Sequence, residues 1–101
     1  MTGARLTLLG KPDCHLCHAM LEVALTVLPE FGASLVEKDV RDDPETDRLY
    51  RLDIPVLLLG DREVARHSVT AADLRRRLVE VGIQETAGNR DGGTIGVASS
   101  E

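Results

Sequence analysis

Residues 10–20, GKPDCHLCHAM, decide how the rest of this sequence is interpreted. Cys14, Cys17 and His18 form a C-x-x-C-H pattern, which can attach a c-type haem or contribute to a metal site. The same letters follow a short apolar run, RLTLL (5–9), and open a segment with helical periodicity. In that position they describe a dithiol at a strand-to-helix turn. Three chemistries therefore compete: haem attachment, zinc binding and thiol–disulfide exchange.

Composition narrows the class of protein. The 101 residues have room for one domain, and a hydrophobic content of 43% supports a compact core. The net charge of −5 and the aromatic content of 2% disfavour nucleic acid as a partner, because such binding usually needs a basic face or stacking aromatics. No apolar run approaches the roughly 18 to 20 residues that span a bilayer, and the N-terminus does not resemble a signal peptide. We therefore expect a monomeric, cytoplasmic protein without a membrane partner.

The hydrophobic pattern predicts the element order β-α-β-α-β-β-α. The predicted elements are a strand at 5–9, a helix from Cys14 to about Leu28, a strand at 34–40, a helix from Pro44 to about Leu52, strands at 55–59 and 63–67, and a helix that Thr70 caps and Gly82 closes. The first helix is predicted to bury a face that includes Leu16, Met20 and Val27. Its opposite face carries His15 and His18.

The domain is predicted to cover residues 1–83. Residues 84–101, QETAGNRDGGTIGVASSE, contain four glycines and only two large apolar side chains, so they are predicted to form a disordered tail. The basic run Arg75, Arg76 and Arg77 in the last helix is interpreted as a solvated helix face rather than as a site for an acidic partner.

Haem attachment matches the letters but not their setting. A c-type haem takes His18 as one axial ligand and usually a distant Met or His as the other. The candidates are Met1, Met20 and His67, and Met20 is only two residues from His18. His18 also lies on the polar helix face, where a haem would be exposed to water. We therefore expect no haem.

Zinc binding lacks a complete set of ligands. Structural zinc sites take four ligands, generally from two separated pairs. Beyond the single C-x-x-C pair, the rest of the chain offers only His67. His15 and His18 share one helix face, whereas Cys17 points to the apolar side. Because these side chains would not converge, no metal site is predicted.

The dithiol interpretation uses the strand and the helix that flank the motif. Cys14 is placed in the first turn, where unpaired backbone N–H groups and the helix dipole favour a thiolate. Cys17, one turn further on, faces the apolar side, so an exposed thiolate can attack and a shielded thiol can resolve the mixed disulfide. Lys11, and His15 when protonated, would stabilise the thiolate, while Asp13 opposes them. The sequence therefore favours thiol exchange over two inert buried cysteines.

A second candidate site element is the stretch LDIPVLLL (52–59). Pro55 is placed at the first residue of the third strand, where a proline is tolerated. A cis Ile54–Pro55 bond would stop Pro55 from extending the strand and leave the Ile54 backbone free to pair with a thiol-bearing peptide. Only about 5–6% of X–Pro bonds are cis, so the pattern alone leaves the isomer open.

Taken together, LTLLGKPDCHLCHAM (6–20) and IPVLLLGDREV (54–64) resemble the thioredoxin superfamily, and most closely the small bacterial glutaredoxin-like proteins. The resemblance covers about residues 5 to 82. It implies an α/β thioredoxin fold, with a four-stranded mixed sheet in the order 2-1-3-4 flanked by helices. It also implies that Cys14 is the nucleophile, that Cys17 resolves, that Pro55 is cis and faces them, and that Lys11 is the lysine preceding the motif.

The sequence departs from both well-known branches of that superfamily. Thioredoxins carry Trp before the first cysteine and Gly-Pro between the two, where this chain has Asp13 and His15-Leu16. Glutaredoxins that bind glutathione well usually show a Gly-Gly pair after the fourth strand, where this chain has ARHSVTAAD (65–73). Lys11 and Ile54 remain candidates for contacting glutathione.

The resemblance implies a thiol–disulfide oxidoreductase without a resident cofactor. Its partners would be protein disulfides or low-molecular-weight thiols, with glutathione or a reductase as the electron donor and glutathione as a candidate co-substrate. The first alternative is a binding module of the same fold whose cysteines are catalytically idle, and the second is a metal- or haem-binding protein.

Overall fold

The computed structural model describes residues 3–83, which form a four-stranded mixed sheet in the order β2-β1-β3-β4. The strands are Arg5–Gly10 (β1), Ser34–Asp39 (β2), Val56–Leu59 (β3) and Arg62–Arg66 (β4), and the α-helices are His15–Val27 (α1), Pro44–Tyr50 (α2) and Ala71–Glu80 (α3). Short 3₁₀ turns at Leu28–Phe31 and Val40–Asp42 follow α1 and β2. The element order and the sheet order confirm the sequence prediction. The predicted tail, residues 84–101, lies outside the described residues.

Strand β1 is an inner strand of the sheet and pairs with two neighbours. It runs parallel to β2 and antiparallel to β3, so that Leu8 is opposite Glu37 on one side and Leu57 on the other. A parallel pair needs a long crossover connection, which α1 supplies. Strands β3 and β4 form an antiparallel hairpin whose turn contains Gly60 at a positive φ of 64°. The C-terminal end of β1 therefore lies between the start of β3 and the end of β2.

The sheet separates two apolar layers. Alternate residues of β1 point to opposite faces, so Leu6 and Leu8 enter the larger layer and Leu9 enters the smaller one. The larger layer packs α1 and α3 on the sheet through the buried residues Met20, Ala24, Val27, Leu74 and Leu78. The smaller layer contains Leu9, Val56 and Leu58, with Tyr50 and Ile54 against them. The helices therefore flank both faces of the sheet.

Side-chain acceptors define where two of the helices begin. Cys14 is the N-cap of α1, and its Sγ accepts a hydrogen bond from the backbone N–H of Cys17 at 3.2 Å. Thr70 is the N-cap of α3, and its Oγ1 accepts from the backbone N–H of Asp73 at 3.1 Å. Each cap satisfies one of the otherwise unpaired N–H groups of a first helical turn. The predicted starts of both helices are confirmed.

The predicted apolar face of α1 is wrong at Leu16, which is 53% exposed. The face that meets the sheet instead begins with Cys17 and continues through Met20, Ala24 and Val27. Leu16 lies about 100° around the helix from Cys17, so burying one turns the other outwards.

Most of the predicted element boundaries shift by one or two residues. Helix α2 ends at Tyr50 rather than Leu52, and β3 begins at Val56 rather than Pro55. Strand β4 begins one residue earlier than predicted and ends at Arg66. His67 therefore lies beyond the strand, with a φ of 67° in the left-handed region that ends an extended conformation.

The basic run of α3 is occupied by contacts within the domain. Arg75 donates two hydrogen bonds to Glu30, at 2.7 and 2.9 Å. Arg76 bridges Asp73 and Glu80 along the helix, and Arg77 donates to the carbonyl of Val64. The prediction of a solvated helix face holds for Arg76, whereas Arg75 and Arg77 are half-buried against other elements. Within residues 3–83, none of the helices is both long and apolar enough to cross a membrane.

Candidate active site

The two cysteines lie at the start of α1, where β1 has just ended. Lys11–Cys14 form a turn in which the backbone N–H of Cys14 donates to the carbonyl of Lys11 at 3.3 Å. Cys14 is partly exposed, whereas Cys17 is buried at 5% exposure. Both thiols are free, and the structure brings them together through the hydrogen bond from the Cys17 backbone to the Cys14 sulfur. One sulfur is thus accessible at the helix N-terminus and its neighbour is shielded.

Burial makes the Cys17 thiolate unfavourable. Desolvation is the largest cause that raises the pKa of Cys17, and the hydrogen bond with Cys14 raises it further, to about 11. The backbone N–H of Lys11 beside the Cys17 sulfur favours the thiolate and partly opposes this rise. At neutral pH Cys17 is therefore held as a thiol.

Gly10 has no side chain, and this allows α1 to pack close to the sheet at Cys17. A Cβ built on Gly10 would lie 2.9 Å from the Cys17 Sγ and 3.0 Å from its Cβ, closer than real Cβ atoms approach. Leu9 pairs with Val56, the first residue of β3, and Pro55 directly precedes Val56 in the chain. The shielded cysteine therefore lies against Gly10 at the end of β1, and the chain enters β3 from Pro55 beside the last paired residue of β1. The sequence pattern indicates Gly10 only as the end of a strand, because the approach of α1 is a tertiary contact.

The Ile54–Pro55 peptide bond is cis, as the resemblance implied. The Pro55 carbonyl accepts a hydrogen bond from the His67 backbone N–H at 2.7 Å, which ties this loop to the end of β4. Arg66 adds an ion pair to Asp53 at 3.1 Å. None of the backbone hydrogen bonds that hold the loops of residues 3–83 involves Ile54. Contacts of the neighbouring residues thus hold the Ile54 backbone in place, while its own N–H and C=O groups take part in none of these hydrogen bonds.

The remaining predicted site residues surround the dithiol unequally. Lys11 is half-buried, and its backbone adjoins the Cys17 sulfur. His15 is the first residue of α1 and is exposed to solvent, as is Asp13 in the preceding turn. Within residues 3–83, no three His, Cys, Asp or Glu side chains are grouped so that they could hold a metal ion.

A cavity of about 210 Å³ adjoins the Cys17 side of the dithiol. It lies between α1 and the C-terminal end of β2, and its lining includes Lys11, Cys17, Glu37 and Lys38. The β2 residues of this lining were not predicted, because only the parallel pairing of β2 with β1 brings them to the helix. The polar sequence EKD (37–39), at the end of a predicted strand, is the signal that could have indicated these residues.

The sheet order, the dithiol at the start of α1 and the cis proline at the start of β3 together define a protein of the thioredoxin superfamily. The family described as Glutaredoxin-like domain (DUF836) matches residues 5–79. The chain belongs to this glutaredoxin-like family.

Solved structures share the fold of this chain. A structural genomics target protein, XcR50 from X. campestris, is 32% identical, with a TM-score of 0.62 over 74% of this chain and 96% of that chain. Thioredoxin 1 from Thermosipho africanus is 17% identical and shares the fold, with a TM-score of 0.56 over 76% of this chain and 92% of that chain. A malarial protein is 16% identical, with a TM-score of 0.59 over 81% of this chain and 100% of that chain. A search of curated proteins found no match.

Proposed function

We propose that this protein is a thiol–disulfide oxidoreductase that exchanges disulfides through Cys14 and Cys17. The observation that carries the proposal is the asymmetry of the two thiols. Cys14 is accessible at a helix N-terminus, and Cys17, one turn away, is buried with its pKa raised to about 11. Exchange needs this division between an accessible nucleophile and a protected resolving thiol.

The reaction begins with the Cys14 thiolate attacking a sulfur of the substrate disulfide. A mixed disulfide forms on Cys14, and the first substrate thiolate leaves. Cys17 then gives up its proton to solvent and attacks the Cys14 Sγ, which releases the second substrate thiolate and leaves a Cys14–Cys17 disulfide. The hydrogen bond from the Cys17 backbone to the Cys14 sulfur, at 3.2 Å, favours the negative charge that Cys14 carries before attack.

The substrate would approach along the Ile54–Pro55 loop. The free backbone of Ile54 can pair with an extended peptide next to the dithiol, which suits the disulfide of a protein or a small peptide. Glutathione or a reductase would supply electrons to the oxidised form, with no resident cofactor. Such chemistry fits a protein that works as a monomer in the cytoplasm, where thiols are kept reduced.

A single-turnover experiment tests the proposal. The reduced protein is mixed with a disulfide-bonded peptide, samples are quenched in acid, and the species are separated by mass. The wild type is expected to release reduced peptide and to acquire the Cys14–Cys17 disulfide. The two cysteines provide a matched pair of variants. Cys17→Ser should stop at a mixed disulfide, and Cys14→Ser should not react in the same time.

A catalytically idle domain would give a different result. The wild-type rate would then equal that of a free thiol at the same thiolate concentration, and the two variants would behave alike. Either observation would contradict the oxidoreductase assignment.

A further inference from the structure

The end of β4 contacts the loop that precedes β3 on both sides of Ile54. After Ile54, the Pro55 carbonyl accepts a hydrogen bond from the backbone N–H of His67 at 2.7 Å. Before Ile54, the Asp53 carboxylate forms an ion pair with the Arg66 guanidinium at 3.1 Å. Two consecutive residues of one strand end therefore hold both neighbours of the residue whose backbone is left for a substrate.

The Arg66 guanidinium is itself oriented by its own strand. Its Nε donates to Oε2 of Glu63 at 2.7 Å, and its Nη2 donates to the other oxygen of the same carboxylate. Such a two-point contact fixes the plane of a guanidinium. The remaining nitrogen, Nη1, is the atom that lies 3.1 Å from Oδ1 of Asp53. Asp53 is thus held by a side chain whose own freedom is already restricted.

His67 adopts an unusual backbone conformation next to this ion pair. Its φ is 67°, and the backbone N–H of Ser68 donates to the Arg66 carbonyl at 2.7 Å. A hydrogen bond from residue i+2 to residue i around a positive φ defines a γ-turn of the rare, strained form. The other positive-φ residues within 3–83 are all glycines, namely Gly32, Gly60 and Gly82. Strained residues of this kind persist where surrounding contacts hold them, and they concentrate at functional sites.

The strained turn places two groups of His67 against the loop. It directs the backbone N–H at the Pro55 carbonyl, and it brings the imidazole Nε2 to 4.0 Å from Oδ1 of Asp53. A peptide that pairs with the Ile54 backbone then meets a loop whose ordering entropy has already been lost, which strengthens binding. A disulfide without amide groups cannot form those backbone hydrogen bonds and gains nothing from the ordered loop.

We propose that Arg66 and His67 are positioning residues that make the protein selective for disulfides carried on an extended peptide. They act through Asp53 and Pro55, which present the Ile54 backbone beside the dithiol. The chemical steps are those of the exchange proposed above, on which the inference rests. The end of β4 adds the control of which disulfides react fastest.

The test compares two disulfides with the reduced full chain. One is a disulfide-bonded peptide, and the other is hydroxyethyl disulfide, which has no amide group. Selectivity is the ratio of their second-order rate constants. Arg66→Gln is expected to lower this ratio about two- to fivefold, the range for one partly exposed ion pair. Arg76→Gln is the matched control, because its guanidinium also bridges two carboxylates but lies on α3, so the ratio should stay at the wild-type value.

The outcomes separate this inference from the proposed function. An unchanged ratio in Arg66→Gln, or an equal fall in Arg76→Gln, would overturn the inference while the wild type still exchanged disulfides. A wild type that reduced neither disulfide faster than a free thiol would overturn the proposed function itself.

A double variant shows whether Arg66 acts through Asp53. In an Asp53→Ala background, Arg66→Gln should lower the ratio no further, because both changes remove one contact. Additive losses would contradict this route.

His67→Gly separates positioning from stability. Glycine adopts a positive φ without strain, so the variant should melt no lower than the wild type. Its freer turn and missing imidazole should nevertheless lower the selectivity ratio. An unchanged ratio, or a loss that only accompanies a lower melting temperature, would contradict the role of His67.

Discussion

At the scale of single residues, position along one helical turn separates two chemically identical side chains. Cys14 caps α1 and stays partly exposed, whereas Cys17 packs against Gly10 beneath the helix. Burial is the larger cause of the raised Cys17 pKa, and the contact with the Cys14 sulfur is the next. The nucleophile and the resolving thiol are therefore distinguished by their surroundings alone.

The Cys14→Ser variant isolates Cys17 for a test of this difference. Serine is itself a good N-cap, so α1 should be preserved. The rate at which iodoacetamide labels Cys17 is expected to rise with a midpoint above the ordinary value of 9.0 and no higher than about 11, because the contact with Cys14 is lost and burial remains. At pH 7 labelling should be about tenfold to 100-fold slower than in the same variant unfolded in urea, since each pKa unit changes the thiolate fraction tenfold.

The urea-unfolded variant is the control, because its Cys17 is exposed to water and should titrate near 9.0. A folded protein with the same midpoint would show that burial does not determine the reactivity of Cys17. Since a raised pKa keeps the thiol protonated in the folded state, this group should also make the protein less stable as the pH rises from about 9 towards about 11.

At the scale of secondary-structure elements, local signals predict where helices begin better than where they end. Thr70 caps α3 as predicted, and Asp43 precedes Pro44 at the start of α2. Cys14, predicted as the first residue of α1, is its N-cap. The N-terminal signal is a specific side-chain or proline requirement, whereas the last turn depends on packing. Helix α2 accordingly stops at Tyr50, which packs against the smaller apolar layer, and leaves Leu52 86% exposed.

The contribution of one cap is measurable. Thr70→Ala removes the acceptor for the backbone N–H of Asp73, and we expect it to lower the free energy of unfolding by about 1 kcal/mol in urea titration. Thr26→Ala is the matched control, because its hydroxyl donates to the Glu22 carbonyl within the last turns of α1 and contributes no N-cap. A cost at Thr70 no larger than that at Thr26 would show that the cap does not stabilise α3.

At the scale of the whole molecule, long-range contacts join the two ends of the described domain. Arg75 of α3 binds Glu30, which follows α1, through two hydrogen bonds. Leu74 and Leu78 of the same helix are fully buried in the larger apolar layer beside Met20 and Ala24. Helix α3 is therefore part of the core, and the domain needs the chain at least as far as its last buried turn.

The domain boundary near residue 83 stays a prediction, because residues 84–101 lie outside the described structure. Their composition supplies too little apolar surface to offset the entropy of ordering them. Deleting residues 84–101 is expected to leave the melting temperature and the rate of disulfide exchange nearly unchanged, as followed by circular dichroism and the single-turnover assay.

Deletion of residues 78–101 is the matched control, because it removes the buried Leu78 and should unfold the domain. A large fall in melting temperature for the shorter deletion would show that the tail packs on the domain.

The sequence by itself determined the element order, the starts of α1 and α3, and the pairing of Cys14 with Cys17 in one helical turn. These features depend on neighbours a few residues apart, through hydrophobic period, capping and turn chemistry. Even the sheet order followed, once the resemblance to a known family was added.

Only the tertiary structure decided that Cys17 and not Leu16 begins the buried face of α1. Leu16 and Cys17 are both apolar enough to face the core, and docking against Gly10 selects Cys17. The same contact places Cys17 beside β2 and creates a cavity whose rim residues, Glu37 and Lys38, are about twenty positions away in the chain. Such contacts depend on strand register and helix rotation, which a single sequence does not encode in any local pattern.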